Sequence, residues 1–143
     1  MTVKSRKSVL GALLVIIGLP LVVVLIEAVS FYVLNQNNGT IVSSDQKREY
    51  LLYVPRSYDR TRPTPLVISM HGGAMWPAAQ METSQWNKVA ESQGVIVVYP
   101  SGIGGDGPRH WRVGRGAGLM MDVRFISELI DTLEAAYNID PTR

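Results

Sequence analysis

The tripeptide His71-Gly72-Gly73 follows directly on the apolar run Leu66-Val67-Ile68-Ser69-Met70, and this junction is the most chemically suggestive feature of the chain. Glycines at the carboxyl end of a buried strand let the backbone take positive φ and turn N–H groups into the crevice where α/β sheets bind ligands. Such N–H groups stabilise the oxyanion of a tetrahedral intermediate, and losing one donor typically costs about 10²–10³ in rate. His71, Gly72 and Gly73 make up the turn whose N–H groups are the expected donors. The plainer reading is a tight glycine turn beside a satisfied histidine. Trp76 and Trp111 are candidates to line a substrate pocket, whereas Trp86, on a helical face, reads as ordinary core.

A serine nucleophile also needs a base and an acid within reach, recognised by mutual geometry. Ser101, His71, His110 and several aspartates supply the residue types, but Ser101 lies in Pro100-Ser101-Gly102 with no elbow around it. No G-x-S-x-G occurs anywhere in the 143 residues. The absence of cysteine excludes a disulfide framework, a thiolate nucleophile and a Cys-ligated metal. Two histidines with scattered carboxylates have no metal-ligand spacing either, so neither metal nor cofactor is expected.

The elements that position these residues form an alternating series. Thr40-Ile41-Val42 and Arg48 to Val54 read as strands, the second near a sheet edge because it closes at Pro55. Arg56 to Pro65 is a turn-rich loop. Leu66 to Met70 and Val95 to Tyr99 are near-continuous apolar runs, the pattern of strands buried on both faces of a parallel sheet. After a loop over residues 74–80, Thr83 or Ser84 is placed to cap a helix running to about Gln93, with Gly94 as its terminator. Residues 101–118 hold seven glycines, a long connection of the kind that is functional or mobile. Asp122 then caps a helix in which Val123, Ile126, Ile130, Leu133 and Tyr137 recur at helical spacing, widened by Leu129 and ended by Asn138. Strands alternating with helices predict an α/β fold with a parallel sheet and right-handed crossovers.

The net charge of +2 does not mark a nucleic-acid surface. Lys4, Arg6 and Lys7 precede an uncharged run from Ser8 to Ile26, and residues 37–143 hold eleven cations and eleven anions. About 20 apolar residues span a bilayer core, so residues 1–34 read as a signal anchor or signal peptide with membrane contact through residues 8–34. The basic flank places the N-terminus in the cytoplasm and the rest outside it. Ala28-Val29-Ser30 offers the small-x-small pattern for cleavage after Ser30, which would release a secreted protein. Residues 35–47 form a linker and first short strand, and 48–143 the folded part.

The segments Arg48 to Tyr58, Pro65 to Gly73, Gln85 to Gly102, then Trp111, Asp122-Val123, Phe125, Leu129-Ile130-Asp131 and Tyr137-Asn138-Ile139-Asp140 together resemble the secreted α/β-hydrolase esterases. That family includes polyhydroxybutyrate depolymerases and feruloyl or acetylxylan esterases. The resemblance implies an ester substrate and maps the first oxyanion-hole amide to Gly73. Many members have cysteine where this chain has Gly73 and an acidic pair where it has Met121-Asp122; neither difference removes a backbone donor. The resemblance also implies a nucleophile elbow after the next strand, then the acid and the histidine. The expectation is therefore half of a hydrolase sheet, with the strand ending at His71 flanked by Val95 to Tyr99 on one side and by the nucleophile strand on the other. The alternatives are a non-catalytic, membrane-anchored α/β domain or gene remnant, and a peptidase of the same fold. Oligomeric state is not legible.

Overall fold

The computed structural model describes residues 18–30, 32–33, 36–104, 108–113, 116 and 118–143. It divides into two compact units, residues 1–33 and 34–143. In the first, residues 18–30 are helical and their apolar side chains are exposed. Among the described residues no helix is long and apolar enough to cross a membrane. Residues 1–17, which carry the three cations and half of the predicted span, lie outside the described residues.

The second unit is built on a four-stranded sheet. Its strands are β1 (Gly39–Ser43), β2 (Gln46–Tyr53), β3 (Leu66–Ile68) and β4 (Ile96–Pro100), in spatial order β1-β2-β4-β3. The sheet is mixed: β3 and β4, the two runs read as parallel strands, do run parallel, whereas β1–β2 and β2–β4 are antiparallel. The reason lies in the first connection. Ser43 pairs with Gln46 across a two-residue loop in which Ser44 and Asp45 both have positive φ, the geometry of a tight hairpin. That hairpin also puts β2 inside the sheet and not at its edge, since Pro55 falls beyond the last paired residue, Tyr53.

Helix α1 (Pro77–Ser84), α2 (Trp86–Gln93) and α3 (Leu119–Ala136) complete the unit. The expected loop over 74–80 is thus largely helix, and no side chain of Thr83 or Ser84 caps α2. Gln85, with φ of 58°, separates the two helices and occupies the cap position, while Gly94 ends α2 in the left-handed conformation as expected. Trp86, Met81 and Ala90 pack on Val97 and Tyr99, on one face of the sheet. On the other face, Phe125, Leu129 and Leu133 of α3 pack with Val98, Leu52 and Ile68. The result is a three-layer sandwich in which every residue of β4 is buried. The buried stripe of α3 runs through Asp122, Phe125, Leu129 and Leu133; Leu129 and Leu133 belong to the predicted stripe, whereas Val123, also predicted, is 57% exposed.

Beyond α3 the chain returns beside the approach to β3, on the side away from β4. Thr64 N–H donates to Asn138 O, Asp140 N–H to Thr64 O and Leu66 N–H to Arg143 O, at 2.9, 2.9 and 3.3 Å, with a parallel bridge between Thr64 and Ile139. The sequence resemblance puts the next strand on this edge, and among the described residues no strand yet covers it past Leu66.

Candidate active site

Pairing with β4 persists one residue past β3, because Ser69 N–H donates to Val98 O at 2.9 Å. The backbone then leaves the sheet as the turn His71 to Met75. Its ends are covered and its middle is open: His71 is buried, whereas Gly72, Gly73 and Ala74 are exposed. The positive φ expected of the glycines is found instead at Ala74, at 57°. A side chain in that region costs roughly 1–2 kcal/mol, so the turn must be held from outside. Nothing lies within 4 Å of a Cβ built on Gly73, and one on Gly72 would make only ordinary contact with Met75. These glycines are not required by conformation or space; their lack of side chains leaves the backbone uncovered.

The holding is done by the glycine-rich segment. Its two limbs pair, with Ile103 N–H donating to His110 O and His110 N–H to Ile103 O at 2.9 and 2.8 Å. Gly102 and Gly104 permit this, since a Cβ on either would lie 2.4 or 2.5 Å from the carbonyl oxygen of His110 or Pro108. Where described, the segment read as functional or mobile is therefore a hairpin whose limbs pair at Ile103 and His110. It grips the turn at both ends. Trp111 Nε1 donates to His71 O at 2.8 Å, Gly102 N–H donates to His71 Nε2 at 2.9 Å, and Arg109 N–H donates to Met75 O at 3.1 Å.

His71 is consequently a neutral imidazole of one tautomer. Nε2 accepts from Gly102, so the proton is on Nδ1, which donates to Gly72 O at 2.7 Å. Burial pushes its pKa below the usual histidine range, opposed by the bond to Gly72 and assisted by the Arg109 charge. Trp111 stacks on the ring with centroids 4.9 Å apart. Among the described residues no triad forms around it: both ring nitrogens are occupied by backbone groups, Ser101 is 2% exposed with its hydroxyl unpaired, and His110 is exposed.

Beneath the hairpin lies a buried ionic cluster that the sequence did not disclose. Asp122 Oδ1 accepts from Arg48 Nη1 at 2.8 Å and from Arg112 Nη1 at 2.7 Å, while Oδ2 accepts from Arg112 N–H at 2.7 Å. Arg48 also donates to Ser101 O at 3.2 Å, and its guanidinium lies 4.0 Å from the centre of the Phe125 ring. Asp122 therefore does not cap α3; Gly118 holds the cap position and Asp122 sits in the first turn facing inward. Burial alone would raise its pKa, but the bonds from the Arg112 backbone and Arg48, with the two guanidinium charges, hold it below the usual carboxylate range. The available signal was Arg48 itself, a cation beside the apolar stretch of β2.

Trp111 borders a hollow of about 380 Å³ with Ile103, His110, Val113 and Leu119. Trp76 stands at the start of α1, its Nε1 buried without an acceptor.

No protein-family model matches the chain. Over 80 residues it is 36% identical to a bifunctional acetylxylan esterase/xylanase of Neocallimastix patriciarum, a match covering 56% of the chain and 11% of that protein. Its fold is similar to that of an S-formylglutathione hydrolase from Agrobacterium tumefaciens, with a TM-score of 0.57 and 20% identity over 73% of this chain and 45% of the other. A ferulic acid esterase gives a TM-score of 0.55 and 19% identity, over 71% of this chain and 43% of that one. The fold is thus that of the α/β-hydrolases, and the resemblance to their esterases, over part of their length, is borne out. The chain spans less than half the length of these relatives.

Proposed function

We propose that this chain carries the oxyanion-stabilising part of a serine carboxylic-ester hydrolase. It works outside the cytoplasm, on polyesters or on esters of plant polymers such as acetylated or feruloylated polysaccharides. The observation that carries the reading is the exposed 72–74 backbone at the carboxyl end of β3, gripped at both ends by the hairpin. An uncovered, prepositioned N–H is what a developing oxyanion requires. The names of the esterase relatives support the substrate class. The nucleophile is a serine on a G-x-S-x-G elbow contributed from outside these 143 residues, and turnover passes through an ester of that serine without metal or cofactor. Residues 8–34 anchor the protein in the membrane, or direct its secretion with cleavage after Ser30.

The test joins residues 1–143 to the elbow-bearing remainder of the Neocallimastix acetylxylan esterase domain and measures hydrolysis of p-nitrophenyl acetate. Turnover is expected from the joined protein and not from the chain alone. Gly73→Pro, which deletes the N–H, is expected to lower kcat about 10²–10³-fold, whereas Gly73→Ala keeps the rate. Full activity in Gly73→Pro would refute the assignment of this donor. Membrane extraction and N-terminal sequencing of the native product distinguish anchor from cleaved signal.

A further inference from the structure

The contacts around His71 close on themselves. From Asp122 Oδ2 the path runs to the Arg112 N–H at 2.7 Å, along the backbone to Trp111, and from its Nε1 to His71 O at 2.8 Å. From His71 Nε2 it passes to the Gly102 N–H at 2.9 Å, along the backbone to Ser101 O, to Arg48 Nη2 at 3.2 Å, and from Arg48 Nη1 back to Asp122 Oδ1 at 2.8 Å. One ring thereby joins β2, the first turn of α3, both limbs of the hairpin and the turn after β3. We infer that Asp122 is a positioning residue, whose two carboxylate oxygens close this ring and so fix the orientation of His71 and the exposed 72–74 turn. The functional consequence rests on the proposed oxyanion reading of that turn; the ring itself does not.

Stability alone gives no reason for the cluster. Buried ion pairs are often matched or bettered by apolar residues of similar volume. A carboxylate does what an apolar side chain cannot: it accepts from two elements in fixed directions. Oδ2 takes the hairpin's outgoing limb through a backbone N–H, and Oδ1 takes Arg48, which holds the incoming limb through Ser101 O. His71 lies between the limbs with one ring nitrogen and its carbonyl committed to them, and with its other ring nitrogen bonded to the carbonyl of Gly72. The glycines at 102 and 104 keep the limbs in close contact, so a shift at one limb is transmitted to the other.

The full chain in detergent micelles, labelled with ¹⁵N-histidine, tests this without any ester turnover. Long-range ¹H–¹⁵N spectra report the tautomer of His71, and hydrogen exchange reports the Gly102 amide. Wild type is expected to show only the Nδ1–H tautomer. Asp122→Asn retains size but cannot accept from both partners. It is expected to bring in the Nε2–H tautomer and to speed Gly102 exchange by about tenfold or more, with the far-UV spectrum kept. Trp111→Phe, which keeps the stack and loses the indole donor, is expected to act in the same direction. Arg112→Lys keeps the backbone N–H in the ring while disturbing the side-chain ion pair, and is expected to leave both readouts unchanged. A general loss of stability would not sort the variants this way. The inference is overturned if His71 keeps one tautomer in Asp122→Asn and Trp111→Phe, or if Arg112→Lys disturbs it equally. Should Asp122→Asn fail to fold, the other two variants decide. Loss of esterase activity in the joined protein with an intact ring would count against the oxyanion reading and not against the ring.

Discussion

Substituting alanine for either of two site glycines should have opposite consequences, and the structure supplies the reason. A Cβ on Gly102 would lie 2.4 Å from the His110 oxygen, 2.8 Å from its carbonyl carbon and 3.1 Å from its nitrogen. All three are backbone atoms of the facing limb, so no side-chain rotation relieves the overlap and the limbs must part. Forcing a methyl into such a site costs typically about 1–3 kcal/mol. Parting the limbs also weakens the two bonds between Ile103 and His110, each worth about 0.5–1.5 kcal/mol net. Gly102→Ala is therefore expected to destabilise the fold by about 2–4 kcal/mol. Gly73→Ala meets nothing within 4 Å and has no positive φ to accommodate. It restricts the unfolded chain and is expected to be neutral or stabilising by up to about 1 kcal/mol. Urea unfolding followed by tryptophan fluorescence measures both, with Trp111 stacked on His71 as the local reporter. Equal midpoints for Gly102→Ala and wild type would refute the close approach of the limbs. A loss above about 1 kcal/mol in Gly73→Ala would refute the open turn.

Three further outcomes follow from the same geometry. Because the folded pKa of His71 lies below its unfolded value of about 6.5, the unfolded chain binds more protons between the two. Stability should be full above about pH 6.5 and fall as the pH drops toward the folded pKa; urea midpoints at pH 7.5 and 5.5 should show the loss, and His71→Gln should reduce it. Leu129→Ala, in the buried stripe of α3, should cost about 2–5 kcal/mol, whereas Val123→Ala should stay within about 0.5 kcal/mol, a contrast that thermal unfolding reads directly. Arg48→Ala leaves Asp122 buried beside a void and should cost about 3–5 kcal/mol, with wild-type stability in 1 M NaCl little changed because the pair is shielded from solvent.

The parts of the fold legible in the sequence were those set by continuous apolar runs and by glycine. β4 is buried on both faces, as Val95 to Tyr99 implied, and Gly94 ends α2 where expected. What local pattern missed was decided by tertiary partners. The Ser44-Asp45 turn has no glycine to announce its positive φ, yet it makes the sheet mixed. In the first turn of α3 Asp122 faces inward, bonded to Arg48 74 residues away, and Val123 faces out. At the site, the residues His71, Gly72 and Gly73 were legible, but not their support. A histidine with two backbone partners and a carboxylate with two guanidinium partners look in sequence like a possible base and a helix cap.

The same cluster bears on the chemistry proposed for the turn. Among the described residues Arg48 and Arg112 pair with Asp122, and Arg109 and Lys47 with Glu49. His71 adds no charge, since its ring is neutral and its Nε2 is an acceptor. Burial first, and then the Arg109 charge, oppose protonation of His71. A turn that supplied only N–H groups would depend on their direction alone. Here the ring fixes that direction in advance of any reaction. Asp122→Asn removes a buried carboxylate charge while loosening the ring. Were the field to dominate, that variant in the joined protein would hydrolyse esters faster; with orientation dominant, as the hydrogen-bond geometry indicates, kcat falls while KM changes little.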